Sequence, residues 1–263
     1  MLDLLFAAGV VAASPGATVP AMPEATPAMY MVRDADTTIY IFGTFHALDG
    51  EANWFGERLR AAFDQSSELV LETLIPDTPA VAHQFGPGFR PPSVTPSGSF
   101  LATTRMAIDA GRSQGMQVEK GADMILRRAA EAQGKPVAGL ETLELQFSMF
   151  NRMPAPATVP AKAAPSAAAR DEALSRAMVM MQAAWKRGDQ SVFVSMLDQL
   201  RNGSPETYRM MFTERNERWA DWIRARMQTP GTVFVAVGTG HLVGKDSLLV
   251  RLAERGISSQ RVN

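Results

Sequence analysis

Ile39-Tyr40-Ile41-Phe42-Gly43-Thr44-Phe45-His46 and Val233-Phe234-Val235-Ala236-Val237-Gly238-Thr239-Gly240-His241 share one pattern. Each is an apolar, β-branched run that stops at Gly-Thr and delivers a His three residues after the Gly. Apolar runs of this length, bounded by turn residues, read as strands. A strand that stops at Gly and presents a His just past its end is a natural way to build a site, because open α/β sheets bind ligands at that edge. The two runs hold two of the three His residues in the chain and lie near its opposite ends. They predict that the two halves of the chain bring His46 and His241 together around a metal or a substrate.

The surrounding pattern supplies the sheet. Met29 to Arg33, the polar turn Asp34-Ala35-Asp36 and Thr37 to Phe42 read as a β-hairpin. Trp54 to Phe63 has helical spacing, and Leu69 to Leu71 is a short buried strand ending in Glu72, which makes a strand–helix–strand unit with parallel strands. Leu101 to Gly111 and Met116 to Ala132 read as helices. Lys135 to Leu140 reads as a strand ending in Glu141, and Leu143 to Met153 as a helix. Asp171 to Lys186 and Gln190 to Leu200 are helical, and Ser204 with Pro205 starts a long helix to about Met227. A closing helix (Asp246 to Arg255) and an edge strand (Ile257 to Val262) follow the second His. The fold class is therefore α/β, with α+β as the alternative: a central sheet, flanking helices and a helical middle segment. Residues 1–28 read as a signal peptide-like segment and a Pro/Ala linker, and 29–263 as one domain with a low-complexity connector at 154–169.

Composition narrows the function. At 263 residues a chain buries about 70–75% of its unfolded surface and needs no staple. A formal charge of −1 gives no basic stripe, so no nucleic-acid partner is expected. The absence of Cys removes disulfides, thiolate nucleophiles and Cys-ligated zinc. Leu4 to Ala13 has the length of a secretory h-region and is too short to span a membrane, so no stable membrane span is expected and the chain is assigned to the periplasm or the outside of the cell. There is no P-loop, no Gly-x-Gly-x-x-Gly, no Gly-x-Ser-x-Gly elbow and no His-Glu-x-x-His.

The residues that could carry chemistry are His46, His241, Glu72, Glu141, Arg215 and Asn216. Two imidazoles and a carboxylate with one open position make a Lewis-acidic centre that lowers the pKa of bound water to about 7. A second carboxylate can act as general base, and Arg and Asn can hold a developing oxyanion. Each residue also has a plainer reading: the Gly residues end strands, the His residues satisfy carbonyls, and Glu141 complements a helix N-terminus. Arg215 and Asn216 fall inside the apolar stripe of Tyr208, Met211, Phe212, Trp219, Trp222 and Ile223, and so face the core or a cleft unless Arg215 snorkels. His83 sits in a Gly/Pro-rich stretch and reads as a loop residue; Met178, Met180, Met181, Met210 and Met211 read as core filler.

IYIFGTFHALDG, LVLET, KPVAGLETLELQFSMF, ERNERWADWI and GTVFVAVGTGHLVGKDSLLVRLAERGISSQRV stand in the order of the motifs of the TraB/GumN family, which the chain resembles from about Met29 onward. That group includes the bacterial pheromone-shutdown proteins and the animal Tiki proteases. The resemblance implies an α/β fold with paired Gly-x-x-His motifs and, for the Tiki branch, metal-dependent proteolysis with manganese or cobalt favoured and zinc as an alternative. It carries over His46 and His241, the strand-end acids Glu72 and Glu141, and the pair Arg215 and Asn216. The expected activity is a metal-dependent hydrolase acting on a peptide or protein, with His46, Glu72 and His241 as ligands, Glu141 as base, and Arg215 and Asn216 orienting substrate. Two alternatives use the same residues: a non-catalytic protein that captures a peptide or signal, and a metal-free hydrolase with His as base.

Overall fold

The computed structural model describes residues 25–74, 100–154 and 166–263. His83, the leader-like segment and most of the Pro/Ala connector lie outside them. The architecture is α/β, a six-stranded mixed sheet with helices on both faces. The strands are β1 (Met29–Arg33), β2 (Thr37–Thr44), β3 (Glu68–Thr73), β4 (Val137–Glu141), β5 (Gly231–Gly238) and β6 (Gln260–Arg261), in the spatial order β4-β3-β5-β2-β1-β6. The helices are α1 (Glu57–Gln65), α2 (Phe100–Arg112), α3 (Ala122–Ala132), α4 (Leu143–Arg152), α5 (Ala167–Lys186), α6 (Ser191–Gly203), α7 (Pro205–Tyr208), α8 (Glu214–Arg226) and α9 (Leu248–Glu254).

The expected hairpin is present, with β1 and β2 antiparallel and the Asp34 carboxylate accepting from the turn N–H groups of Asp36 and Thr37. Strands β2, β5, β3 and β4 run parallel. The β2–α1–β3 unit has parallel strands as expected, but its two strands are not neighbours. Strand β5, from the far end of the chain, lies between them and pairs with both. This insertion puts both Gly-Thr-x-His stretches side by side, since Gly43 is level with Val237 and Thr44 with Gly238.

Parallel strands covered on both faces are apolar without a break, and alternate residues split between two cores. Ile39, Ile41, Val70, Val233, Val235 and Val237 meet Trp219, Ala220 and Ile223 of α8 and Leu248 and Leu252 of α9. Phe42, Leu69, Leu71, Phe234 and Ala236 meet α1, α3, α5 and α6 through Phe63, Leu126, Trp185 and Phe193. Trp185 packs edge-on to Trp54 (5.7 Å) and donates its indole N–H to Gly43 O (2.8 Å), which ties α5 to the end of β2. Removing such an aromatic from a closed core costs about 3–5 kcal/mol.

Four local expectations are corrected. Helix α5 starts at Ala167 rather than Asp171, because Ser166 caps it by accepting from Ala169 N and the Ala run inside the expected connector favours helix. Met116 to Ala132 is not one helix: a 3-10 turn (Val118–Lys120) and Gly121 precede α3. The Ser204 side chain forms no cap, because Ser204 follows α6 without a loop and its N–H bonds Leu200 O. Between α7 and α8, Arg209–Thr213 forms a π-helical turn, so the long helix is not regular there. Single π turns inside helices cluster at functional sites.

Candidate active site at the carboxyl edge of the sheet

The four parallel strands end at one edge, and each end carries one expected residue. Across the sheet they stand as Glu141 (β4), Glu72 (β3), His241 (after β5) and His46 (after β2). The two Gly-Thr-x-His stretches interlock. A Cβ on Gly43 would lie 2.8 Å from Thr239 Oγ1, a hydroxyl that donates to Thr44 O (3.1 Å). A Cβ on Gly238 would lie 3.1 Å from Glu72 Oε1, 3.3 Å from His46 Nε2 and 3.8 Å from His241 Cδ2. Each Gly thus admits a side chain of the other stretch. The space beside Gly238 is a cradle faced by His46, Glu72 and His241.

Arg215 and Asn216 are buried on the sheet side of α8, as the helical period predicts, at 3% and 1% exposure. The Arg215 guanidinium lies over the Trp219 ring (4.5 Å) and spans three strand ends. Its Nε donates to Glu141 Oε2 (2.9 Å), its Nη2 to Glu72 Oε2 (2.8 Å) and its Nη1 to His241 Nε2 (3.1 Å). The planar fork of Arg suits this; a Lys ammonium could not reach three acceptors so arranged. Asn216 Nδ2 donates to Asp246 O (2.7 Å), so its Oδ1 is the atom 2.7 Å from His241 Nδ1. That oxygen can only accept, so the His241 proton is on Nδ1 and the lone pair on Nε2 faces Arg215, with Glu72 Oε1 3.8 Å away.

The electrostatics follow. Burial pushes the His241 pKa down to about 3, with Arg215 adding to the fall against the opposing pull of Glu72. His241 is neutral. Burial, the largest single influence, raises the Glu72 carboxyl, but the Arg215 guanidinium, the facing histidines and the Gly238 N–H (2.6 Å) together outweigh it, and Glu72 is held well below the usual carboxylate range. Loss of water on its cradle side opposes charge on His46, but Asp123 at 3.2 Å and then Glu72 together outweigh it and raise its pKa to about 9. The side chain as a whole is 61% exposed, so solvent screens part of both effects. The two imidazoles are thus driven in opposite directions.

The geometry divides the two acids. Glu72 faces the cradle. Glu141 has both oxygens engaged, one by Arg215 and one by Arg218 (2.9 Å), and its side chain is 1% exposed. Sequence reasoning missed Asp123, Arg218 and Asp246. Asp123 opens a helix, where an acid is expected for the dipole. Arg218 stands three residues after Arg215, and that spacing was the available signal. Asp246 contributes a carbonyl, which no side-chain pattern reports.

Strand ends that converge on one cradle, under an Arg from a covering helix, define an α/β protein with its site at the carboxyl edge of a parallel sheet. The sequence profile of the TraB/PrgY/gumN family matches residues 28–87 and 90–261, and the chain belongs to that family. No curated protein and no solved structure matches the chain. Among the described residues, no helix is long and apolar enough to cross a membrane.

Proposed function

We propose that this chain is a metal-dependent hydrolase, a peptidase by its family kinship, working in the periplasm or outside the cell. The observation that carries the reading is the cradle beside Gly238, faced by two imidazoles and an ionised carboxylate. These are donors suited to manganese, cobalt or zinc. Among the described residues no three His, Asp or Glu side chains are close enough to hold a metal ion as they stand. What fits is the donor chemistry and the space: His46, Glu72 and His241 would hold the ion, the His241 donor being the Nε2 lone pair that Arg215 Nη1 occupies here. A bound ion would supply a water ionised near neutral pH.

The rest belongs to the chain. Asn216 holds His241 in the tautomer that presents Nε2. Glu141 and Arg218 anchor Arg215, so Glu141 acts through Arg215 rather than as the base expected from its strand-end position. Arg215, charged and desolvated, is placed to steady negative charge developing on a carbonyl oxygen in the cradle. His46 stands at the solvent side of the cradle, with Asp123 behind its Nδ1.

Peptide hydrolysis by purified protein tests this. Activity lost on chelation, restored by Mn²⁺ and absent in His46→Ala and His241→Ala supports it. Turnover that survives chelation sinks the metal dependence and favours the metal-free hydrolase. One observation favours a second reading, capture of a peptide without turnover: Arg215 occupies the His241 lone pair that a metal needs. Tight peptide binding with no cleavage at any metal concentration is the result that selects it.

A further inference from the structure

His46 lies in the loop after β2 with its ring half in solvent, so packing alone does not decide which nitrogen faces the cradle. The start of α3 is locked to that loop. Ala122 N–H donates to Phe45 O (3.0 Å), and Leu48 and Gln117 exchange backbone hydrogen bonds (3.2 and 2.9 Å). A Cβ on Gly121 would overlap the His46 carbonyl oxygen. The Gly121 φ of −54° suits any residue, so glycine stands there for the close approach rather than for its conformation. Asp123, two residues on, is therefore held at a fixed offset from His46, with Oδ1 3.2 Å from Nδ1.

We propose that Asp123 is a positioning residue of this site: its carboxylate accepts the His46 Nδ1 hydrogen and so leaves Nε2 facing the cradle beside Gly238. An ionised carboxylate can only accept, so it selects the Nδ1–H form whenever His46 is neutral. Free imidazole of histidine in water prefers the other tautomer, so the selection is made by the protein. Carboxylates behind metal-bound His residues act in this way, and losing one costs about 10–100-fold in metal affinity. The inference rests on the hydrolase reading for its consequence, but its geometry can be tested without it.

The test uses the full chain and proton–nitrogen correlation spectra of its histidine rings at about pH 10, above the value near 9 to which His46 is raised; His46→Ala assigns the signals. The expected result is Nδ1–H at His46 in wild type and in Asp123→Asn, whose amide oxygen still accepts, and Nε2–H in Asp123→Ala. Mn²⁺ affinity should fall about 10–100-fold in Asp123→Ala and largely recover in Asp123→Asn. Nε2–H in wild type, or an unchanged Nδ1–H in Asp123→Ala, overturns the proposal. If Asp123→Ala does not fold, Gly121→Ala reports in its place, because moving α3 off the His46 carbonyl should release the same tautomer, and an unmoved signal counts against the idea. If wild type binds no metal at all, the metal reading fails while the ring spectra still decide the role of Asp123.

Discussion

Arg215→Met is the substitution with the largest consequence. It keeps the bulk of the side chain and its packing on Trp219 but removes, among the described residues, the one guanidinium that touches Glu72 and one of the two that hold Glu141. The Glu72 and Glu141 side chains are 16% and 1% exposed, so solvent cannot replace what is lost. Breaking a buried ion pair from one side costs about 3–5 kcal/mol, because a desolvated charge is left behind. At roughly 2–4 °C per kcal/mol for a domain of this size, the melting temperature should fall by about 6–20 °C near neutral pH. The loss should shrink on acidification, as Glu72 regains an ordinary pKa and takes up a proton. Adding Glu72→Gln to Arg215→Met should recover part of the loss, and a double-mutant cycle should show coupling of 1 kcal/mol or more by rough expectation for contacting charges. Thermal melts of the four proteins at two pH values are sufficient. A loss below about 1 kcal/mol in Arg215→Met, within the range of ordinary surface changes, would refute the claim that Arg215 is the internal counter-charge of both acids.

Stability should also depend on pH in two directions. His241 is held neutral, so below about 6.5 the unfolded chain binds a proton that the folded chain refuses until about 3; Glu72, with its lowered pKa, adds to the acid-side loss. His46 is raised to about 9, so the stability it contributes is full below about 6.5 and is lost as pH rises through 9. Melting temperature against pH should show both flanks, and His46→Ala should flatten the alkaline one; an alkaline flank unchanged in that variant would contradict the assignment. Gly238→Ala suits the backbone (φ −54°) but puts a methyl 3.1 Å from Glu72 Oε1 and 3.3 Å from His46 Nε2. It should leave stability within about 1 kcal/mol and abolish Mn²⁺ binding and turnover; full activity would show that the cradle is not used.

The parts of this site that were legible were those written in local period. Apolar runs ending at Gly-Thr placed His46 and His241 at strand ends, buried strands ending in Glu placed Glu72 and Glu141, and the 3.6-residue period turned Arg215 and Asn216 inward. What was not legible depends on residues far apart. Nothing in Val233–Val237 says that it inserts between β2 and β3, since pairing is decided by the whole sheet. The interlock of Gly43 with Thr239 and of Gly238 with His46 follows from that insertion. Asp123 carries a helix-start signal that masks its contact with His46, and the π turn at Arg209–Thr213 has no signature in the apolar stripe that it interrupts. Glu141 looked equivalent to Glu72 by position, and only the two arginines that close over it tell them apart.

The most direct test of a metal-holding cradle is elemental analysis of purified wild type after Mn²⁺ loading, beside His46→Ala and His241→Ala. About one bound ion per wild-type chain is expected, held in the cradle beside Gly238, and none above background in either variant. Binding that is equal in all three proteins, or absent from wild type at millimolar Mn²⁺, would contradict it.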